Sequence, residues 1–340
     1  MKIAVTGASG RIGNLVVRKL LDAGNEVRVL QRSQSPALEG LNIERVQGEL
    51  FDLAALAQLT KDCEVLIHLA ALISIEGDLG GKVYQVNVQG TRNVLETALV
   101  AGVRRVVYFS SIHAFTELPK EGVFDETRPL AFQSRMAYDR SKAEAMRFAQ
   151  NFAAQNKIEI VALCPTGVIG PFDFGPSLSG QFLLDLYYQN IPLLVPGGFD
   201  WCDVRDVADT AVFSLNRGRS GEAYLLSGHY ATMEQLAEIV HKITGKLTPK
   251  IIVPNWLLRL GQPFVTAFGK ISGNPPLYTS EALDTLRDGS RYILSEKAMR
   301  EWGCFGLAWA STGTQTISSF VCANQTQQGM LFLKVACSNG

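Results

Sequence analysis

Short apolar runs alternate with longer helix-periodic segments through the first 165 residues of the chain. The runs are apolar throughout, rather than alternating between apolar and polar, which is typical of parallel strands covered by helices on both faces. The predicted fold class is therefore α/β, a Rossmann-type doubly wound parallel sheet with its ligand site beyond the carboxyl ends of the strands. The predicted strands are Ile3–Thr6, Val27–Leu30, Val65–Leu69, Val106–Ser110 and Ile160–Cys164.

Beyond Gly170 the pattern changes to segments interrupted by proline and glycine, followed by a predicted strand at Ala223–Ser227 and a predicted amphipathic helix at Met233–Thr244. This change predicts a smaller, interleaved C-terminal substrate-binding domain. The expected division gives residues 1–170 and about 203–228 to the nucleotide-binding domain, and about 171–202 and 229–340 to the cap.

Two later segments have no clear place in this pattern. Residues 251–268 are the longest apolar stretch, but Pro254, Arg259 and Pro263 interrupt it, so we expect part of a lid or surface helix rather than a membrane span. Residues 302–333 contain no charged side chain, and a buried terminal helix is expected at Thr316–Asn324.

A glycine-rich turn, Thr6-Gly7-Ala8-Ser9-Gly10-Arg11-Ile12-Gly13, joins the first strand to a helix predicted to reach about Ala23. Such a turn lets the backbone approach a pyrophosphate, and the N–H groups and dipole of the following helix favour the anion. A tight turn that binds nothing is the alternative. The pattern predicts a dinucleotide site; its residues are Gly7, Ser9, Gly10, Arg11, Ile12 and Gly13.

The end of the second strand bears on the choice of cofactor. It reads Gln31-Arg32-Ser33, without the carboxylate that would accept hydrogen bonds from a ribose 2′-hydroxyl. Arg32, with help from Arg11, could pair with a 2′-phosphate. NADP(H) is therefore favoured, with NAD(H) as the alternative.

The candidate catalytic groups are a tyrosine and a lysine one helical turn apart, Tyr138 and Lys142. A nearby ammonium favours phenolate, and so could bring the pKa of a tyrosine toward neutrality. Ser111 stands at the carboxyl end of the fourth predicted strand, where it could donate a hydrogen bond to a carbonyl oxygen. Capping of the following turn is the alternative role for this serine.

Composition excludes several classes of protein. The 340 residues carry 32 basic and 32 acidic side chains and have a mean hydropathy of +0.10, so neither a nucleic acid nor a membrane surface is an expected partner. The six cysteines form no Cys-x-x-Cys pair and no zinc-like spacing with the four histidines. A reduced cytoplasmic setting without a metal is expected.

With these motifs in this order, the sequence resembles the extended short-chain dehydrogenase/reductase family, the NAD-dependent epimerase/dehydratase-like group. The resemblance covers about residues 1–303 and implies Ser111, Tyr138 and Lys142 as the catalytic group. Tyr138 and Lys142 would also contact the cofactor, and the resemblance places a homodimer among the expected assemblies. Further implied cofactor contacts are Glu49, Leu50, Leu69, Ala70, Ala71, Asn87, Pro165, Thr166, Gly167 and Val168. His68 and His113 are interpreted as packed structural histidines.

Three departures favour the dihydroflavonol-4-reductase-like and 3β-hydroxysteroid-dehydrogenase-like branch. No acidic pair follows Ser111, which disfavours a sugar dehydratase. Residues 197–203 contain no Arg or Lys to hold a substrate diphosphate. The start of the cap, from Phe172 through Phe182, Leu183, Leu186 and Tyr187, is apolar and aromatic, and is suited either to a pocket or to a core.

The function expected from these features is NADP(H)-dependent reduction, or the reverse oxidation, of a small-molecule ring ketone or aldehyde, with Tyr138 as general acid/base. A nucleotide-sugar epimerase with tightly held NAD is the first alternative. A regulator that senses NADP(H) without turnover is the second.

Overall fold

The computed structural model describes residues 1–117, 119, 122–175, 177–254, 280–302, 316, 317 and 319. The expected lid beyond residue 254 and most of the expected terminal helix lie outside the described residues. Within the described part, no helix combines the length and the apolar character needed to cross a membrane.

Strands and helices alternate along the first 165 residues, as the apolar pattern predicts. The strands are β1 Lys2–Thr6, β2 Glu26–Gln31, β3 Glu44–Gln47, β4 Val65–His68, β5 Arg105–Phe109, β6 Glu159–Pro165, β7 Gly167–Ile169, β8 Gly198–Asp203, β9 Ala223–Leu226 and β10 His229–Thr232.

The helices occupy the segments between and after these strands. They are α1 Arg11–Asp22, α2 Leu53–Thr60, α3 Lys82–Tyr84, α4 Gly90–Val100, α5 Ala137–Gln155, α6 Leu178–Tyr187, α7 Val204–Phe213, α8 Met233–Thr244, α9 Ser280–Asp288 and α10 Glu296–Trp302. A π-helical turn at Gln85–Gln89 joins α3 to α4, and a 3-10 turn at Ile112–Ala114 follows β5.

Seven strands form one parallel sheet in the order β3-β2-β1-β4-β5-β6-β9. Apolar side chains leave both faces of this sheet and pack under helices. One core holds Leu56, Leu95 and Met146 from α2, α4 and α5, and the other holds Val16 and Val207 from α1 and α7. Burial on two faces explains why the strands read as continuous apolar runs, and it confirms the doubly wound α/β class.

Three further strands form a second, smaller sheet. Its order is β10-β8-β7, with β8 antiparallel to β10 and parallel to β7. The single residue Thr166 separates the last residue of β6 from the first of β7, so the chain leaves the large sheet and enters the small one in one step. Side chains of α6, α8 and α9, including Leu186, Leu236 and Leu283, pack in a third core with Trp201 of β8.

The sequence pattern locates most, but not all, of these elements. The helix at Met233–Thr244 has the predicted bounds, with a Thr232–Gln235 capping box at its start and Gly245 in the left-handed conformation at its end. The pattern missed β3 and the three strands of the small sheet. The predicted third strand is therefore the fourth strand of the chain, and the predicted fourth is the fifth.

Candidate active site

The turn between β1 and α1 is shaped by two of its glycines. Gly7 has φ +71°, and a Cβ there would lie 2.6 Å from the backbone nitrogen of Ala70. A Cβ on Gly13 would lie 2.1 Å from the carbonyl oxygen of Gly7. Any larger residue at either position would push the turn away from the end of β4 or from α1.

The same turn fits a dinucleotide pyrophosphate. Gly10 is the N-cap of α1, no side chain caps this helix, and the turn opens on a large cavity. A Cβ on Gly10 would meet only the carbonyl oxygen of Gly7, at 3.3 Å, so the missing side chain keeps the approach to the helix terminus clear. Free N–H groups at an uncapped helix N-terminus are a favourable environment for a phosphate.

Arg11 does not take the role expected for it beside Arg32. Its Nη1 donates to the hydroxyl oxygens of Ser177 (2.7 Å) and Ser179 (2.9 Å), and it lies 3.8 Å from Oδ2 of Asp173. Burial lowers the pKa of Arg11, and the carboxylate of Asp173 opposes that effect. The guanidinium is thus held by the segment that enters α6, whereas Arg32 follows β2 on the surface.

The other expected cofactor residues fall into two groups. Those that line the same cavity as Gly10 are Gly7, Arg11, Ile12, Gly13, Leu69, Ala71, Ser111, Tyr138, Lys142, Pro165, Thr166, Gly167 and Val168. Those that do not line it are Ser9, Arg32, Glu49, Leu50, Ala70 and Asn87. Of this second group, Ser9, Arg32 and Glu49 are exposed at the edge expected for the adenosine half, and Leu50 is buried beneath Gly90.

Tyr138, Lys142 and Ser111 meet at the carboxyl end of β5, as their spacing predicts. Tyr138 and Lys142 lie in the first turns of α5, and Nζ of Lys142 donates to the carbonyl oxygen of Phe109 at 3.2 Å. Ser111 caps the following 3-10 turn, accepting from the backbone N–H of His113, and lines the cavity together with Tyr138. The alternative role as a turn cap is thus present, and donation to a carbonyl oxygen stays a prediction.

The electrostatics of the pair differ from the expectation. Burial raises the pKa of Tyr138, and the interaction with the Ser111 side chain only partly opposes this. Burial lowers the pKa of Lys142 to about 8. In this structure Lys142 does not bring the pKa of Tyr138 toward neutrality, so the tyrosine is protonated and placed as a proton donor.

Asn87 lies in the π-helical turn and is 1% exposed. Its side-chain oxygen accepts from the N–H of Leu72 (2.7 Å), and its amide nitrogen donates to the carbonyl of Leu72 (2.9 Å) and to Oγ of Ser141 (2.9 Å). Because Ser141 directly precedes Lys142, Asn87 joins the loop after β4 to α5. A π-turn is a common way to aim a side chain at a functional site.

His68 is a packed structural histidine, as interpreted from the sequence. It is fully buried between the hydroxyl oxygens of Thr6 (2.6 Å) and Thr91 (3.0 Å), and its ring stacks on Tyr108. Burial lowers its pKa to about 3, so the ring is neutral. It joins β1, β4 and α4 and takes no part in the cavity.

His113, by contrast, lines the cavity and is not merely packed there. It contacts Tyr138 edge to face, at 5.7 Å between ring centroids, and its Nδ1 lies 3.3 Å from Oδ1 of Asp139. Burial lowers the pKa of His113, but the interactions with Asp139 and with Glu117 outweigh burial and raise the pKa overall.

The cavity continues from the glycine turn past Tyr138 into an apolar chamber, with a total volume of about 480 Å³. Phe199 and Trp201 of β8 form part of this chamber, at the positions where the sequence has no Arg or Lys. Leu183 and Leu186 pack in the core of the cap instead. Other apolar members are Ile73, Ile75, Met136, Leu178, Phe182, Met233 and Leu286.

Sequence reasoning missed several cavity residues. Asp139 directly follows Tyr138 and His113 lies two residues after Ser111, but nothing in the sequence shows that their side chains lie close together. From the sequence, Phe199 and Trp201 were used only as uncharged positions. Two aspartates, Asp200 and Asp203, interrupt the apolar pattern of β8, so the strand was not predicted. Asp173 gave no signal in the sequence.

An uncapped glycine turn that faces a tyrosine, a lysine and a serine at the same edge of a parallel sheet defines a short-chain dehydrogenase/reductase type of site. The model of the NAD-dependent epimerase/dehydratase family matches residues 3–227. The chain therefore belongs to this family, the extended short-chain dehydrogenases/reductases, and is an NAD(P)-dependent enzyme.

Similar proteins agree with this assignment. The chain is 32% identical over 309 residues to sterol demethylase protein B of Methylococcus capsulatus, covering 89% of this chain and 93% of that one. It is 35% identical over 260 residues to a putative dihydroflavonol 4-reductase of Synechocystis, covering 74% and 75%. The UDP-glucose 4-epimerase of Thermotoga maritima superposes with a TM-score of 0.79 at 20% identity, covering 96% of this chain and 100% of that one, which shows the shared fold.

Proposed function

We propose that the protein is an NADP(H)-dependent oxidoreductase that interconverts a ketone or aldehyde and the corresponding alcohol on an apolar, ring-containing substrate. The observation that carries this proposal is the position of Tyr138, which stands between the uncapped glycine turn and an apolar chamber within one cavity. A cavity of this kind holds a nicotinamide and a hydrophobic ring system side by side.

Each catalytic side chain has a definite task in this proposal. When bound, the nicotinamide exchanges a hydride with the reacting carbon of the substrate. Tyr138, which burial keeps protonated, donates its proton to the carbonyl oxygen during reduction and recovers it during oxidation. Ser111 donates a hydrogen bond to the same oxygen, while Lys142 stands one turn along α5, within reach of a ribose hydroxyl.

The apolar chamber supports a hydrophobic substrate over a nucleotide sugar. Phe199 and Trp201 occupy the segment in which a substrate diphosphate would need a cation. The names of the relatives point the same way, since they include sterol demethylase protein B and 3β-hydroxysteroid dehydrogenases of Homo sapiens and Mycobacterium tuberculosis. We infer a substrate of fused or linked rings, of sterol or flavonoid size.

The preference for NADP(H) rests on the residue that follows β2. Arg32 is exposed, and no ion pair or hydrogen bond holds its side chain among the described residues. The strand itself ends in Gln31, without a carboxylate to repel a 2′-phosphate. Arg32 alone supports this preference, because Arg11 is engaged by the serines of the cap.

The test is a titration of the purified protein with NADPH and NADH, followed by a panel of flavanonols, steroids, aldehydes and nucleotide sugars monitored by the absorbance of the reduced nicotinamide. Tyr138→Phe should lower turnover by roughly a hundredfold or more while leaving NADPH affinity nearly unchanged, because only the proton donor is lost. Tyr292→Phe, at an exposed tyrosine, is the matched control. Stoichiometric bound NAD with turnover of nucleotide sugars alone would favour the epimerase, and full activity of Tyr138→Phe would refute the mechanism.

A further inference from the structure

The pair formed by His113 and Asp139 has no task in the reaction described above, yet it faces the same cavity. His113 lies two residues after Ser111 on the 3-10 turn, and Asp139 directly follows Tyr138 on α5. The two residues of the pair therefore come from the same two segments as Ser111 and Tyr138, the groups proposed to contact the reacting oxygen. A substrate atom close to the reacting carbon must pass near it.

Asp139 determines which nitrogen of the His113 ring carries the proton. Asp139 is 8% exposed, and its carboxylate accepts a hydrogen bond from the hydroxyl of Ser134 at Oδ2, at 2.7 Å. The other oxygen, Oδ1, lies 3.3 Å from Nδ1 of His113, at an angle that does not meet hydrogen-bond geometry. A carboxylate at this distance keeps the proton of a neutral ring on Nδ1 and leaves Nε2 to carry or release the second proton.

The second nitrogen is the one available to the cavity. Nδ1 of His113 is buried, whereas 20% of the side chain remains exposed and the residue lines the cavity. The ring also contacts Phe199, at 6.5 Å between centroids. The His113 ring thus lies between Tyr138 and the aromatic wall of β8, which consists of Phe199 and Trp201. A substituent next to the reacting carbon would be placed there.

We propose that Nε2 of His113 donates a hydrogen bond to a second oxygen of the substrate, one or two carbons from the reacting carbon, and so selects substrates that carry this oxygen. The inference rests on the proposed function, because it presupposes that the substrate oxygen reacts at Tyr138. The shared chemistry is an oxygen that only accepts, supplied either by a neutral carbonyl or ether group or by a carboxylate, because a hydroxyl could also donate to the neutral ring.

Protonation controls this selection. The charged and titratable groups that face His113 are Asp139 and Tyr138 from α5 and Glu117 from the loop after the 3-10 turn; its neighbour from the cap, Phe199, is uncharged. Nε2 donates only while the ring is charged, and the raised pKa of His113 extends this state above pH 6.5. The preference should therefore be full at low pH and disappear as the pH rises through the pKa of His113.

The experiment measures alcohol oxidation with NADP⁺ for three probes: tetralol, a tetralol with a vicinal methoxy group, whose oxygen only accepts, and a tetralol with a vicinal carboxylate. The readout is the ratio of kcat/KM between a substituted probe and tetralol as a function of pH. Ionisations of Tyr138 and Lys142 affect all three probes, so they cancel in the ratio. A single lost hydrogen bond predicts a decline of roughly three- to tenfold between low and high pH, larger for the carboxylate arm if the natural acceptor is charged.

Three variants decide the matter. His113→Gln keeps a donor at every pH, so the ratio should stay high and lose its pH dependence. His113→Leu should lower the ratio to its high-pH value throughout, and Asp139→Asn should move the inflection to lower pH. His241→Gln, on the exposed side of α8, is the control.

The outcomes separate this inference from the proposed function. No oxidation of any of the three probes or of the broader panel would refute the proposed function itself. Turnover of the probes with a pH-independent ratio, or with a pH-dependent ratio that persists in His113→Gln, would refute the role of His113 alone.

Discussion

At the scale of single residues, the site contains a buried cation that lowers the stability of the folded protein. Lys142 is 3% exposed, and its charged form is stabilised by one hydrogen bond to the carbonyl of Phe109. Its pKa of about 8 means that the charged form of Lys142 is less stable in the folded protein than in the unfolded chain. Active-site residues commonly sacrifice stability in this way.

The substitution Lys142→Met should therefore stabilise the protein while abolishing turnover. The lowering of the pKa from 10.5 to about 8 corresponds to roughly 3 kcal/mol, and the lost hydrogen bond to Phe109 reduces the gain to about 1–2 kcal/mol. Chemical denaturation at pH 7 and kinetics on the same preparation measure both effects.

The pH dependence of this gain follows from linkage. Below pH 8 both the folded and the unfolded wild-type chain carry the proton, so the folded state bears the full cost of the buried charge. Between about pH 8 and 10.5 only the unfolded chain keeps the proton, and the stability of the wild type rises toward that of the variant. An advantage of Lys142→Met that grows with pH over this range would contradict the account.

The proposed catalytic pair Tyr138 and Lys142 was predictable because its motif has a fixed spacing on one helix, whereas the partners of the site residues were not. Tyr138, Lys142 and Ser111 could be placed from the chain alone. The meeting of His113 with Asp139 depends on how the 3-10 turn packs against α5, and the contact of Asn87 with Ser141 depends on a π-turn. Such contacts between distant segments have no local signature.

At the scale of elements, Arg11 joins the cofactor turn to the cap. Its hydrogen bonds to Ser177 and Ser179 hold the start of α6, and Asn14 of α1 adds a bond from Nδ2 to the carbonyl of Phe172 at 2.9 Å. Phe172 has φ +67°, an unfavourable conformation for a residue with a side chain, which these contacts help to maintain.

The substitution Arg11→Met should loosen the start of α6 without unfolding the sheet. It removes the cation beside Asp173, whose side chain is 2% exposed, and leaves this buried carboxylate with the neutral N–H and hydroxyl donors of Ser177. We expect the hydrogen-exchange protection of the amides at Gly180 and Gln181 to fall by about tenfold. Lys19→Met removes a surface ion pair from the same helix and is the control. Equal protection in the two variants would show that Arg11 does not hold this segment.

In the large sheet, strands were predictable where burial is two-sided and hidden where it is not. The six predicted strands of this sheet correspond to β1, β2, β4, β5, β6 and β9, all with mainly buried residues. The missed strand β3 lies at the sheet edge, and only Val46 of its four residues is buried. Its Glu44 pairs with Lys2 and Arg28, so the strand reads as a charged loop.

At the scale of the whole molecule, substrate choice is expected to reside in the aromatic wall of β8. The substitution Phe199→Ala should raise KM for apolar alcohols by about tenfold with little change in kcat, because it removes a ring contact to the substrate and leaves Tyr138, Ser111 and Lys142 unchanged. Steady-state kinetics with a steroid or flavonoid substrate from the panel measure the split between KM and kcat. Phe213→Ala, on a ring 39% exposed at the end of α7, is the control. An unchanged KM would place the substrate elsewhere in the cavity.

The junction between the two sheets has a consequence for the diversity of substrates on this scaffold. Only Thr166 separates β6, which pairs with β5 just before Ser111, from β7, which pairs directly with β8. A Cβ on Gly167 would lie 3.0 Å from the carbonyl oxygen of Asp200, so the strands are in close contact there. The aromatic wall is thus anchored to the large sheet, at whose edge Ser111, Tyr138 and Lys142 lie. Its side chains can be exchanged during evolution while the distance from wall to reacting carbon is inherited unchanged.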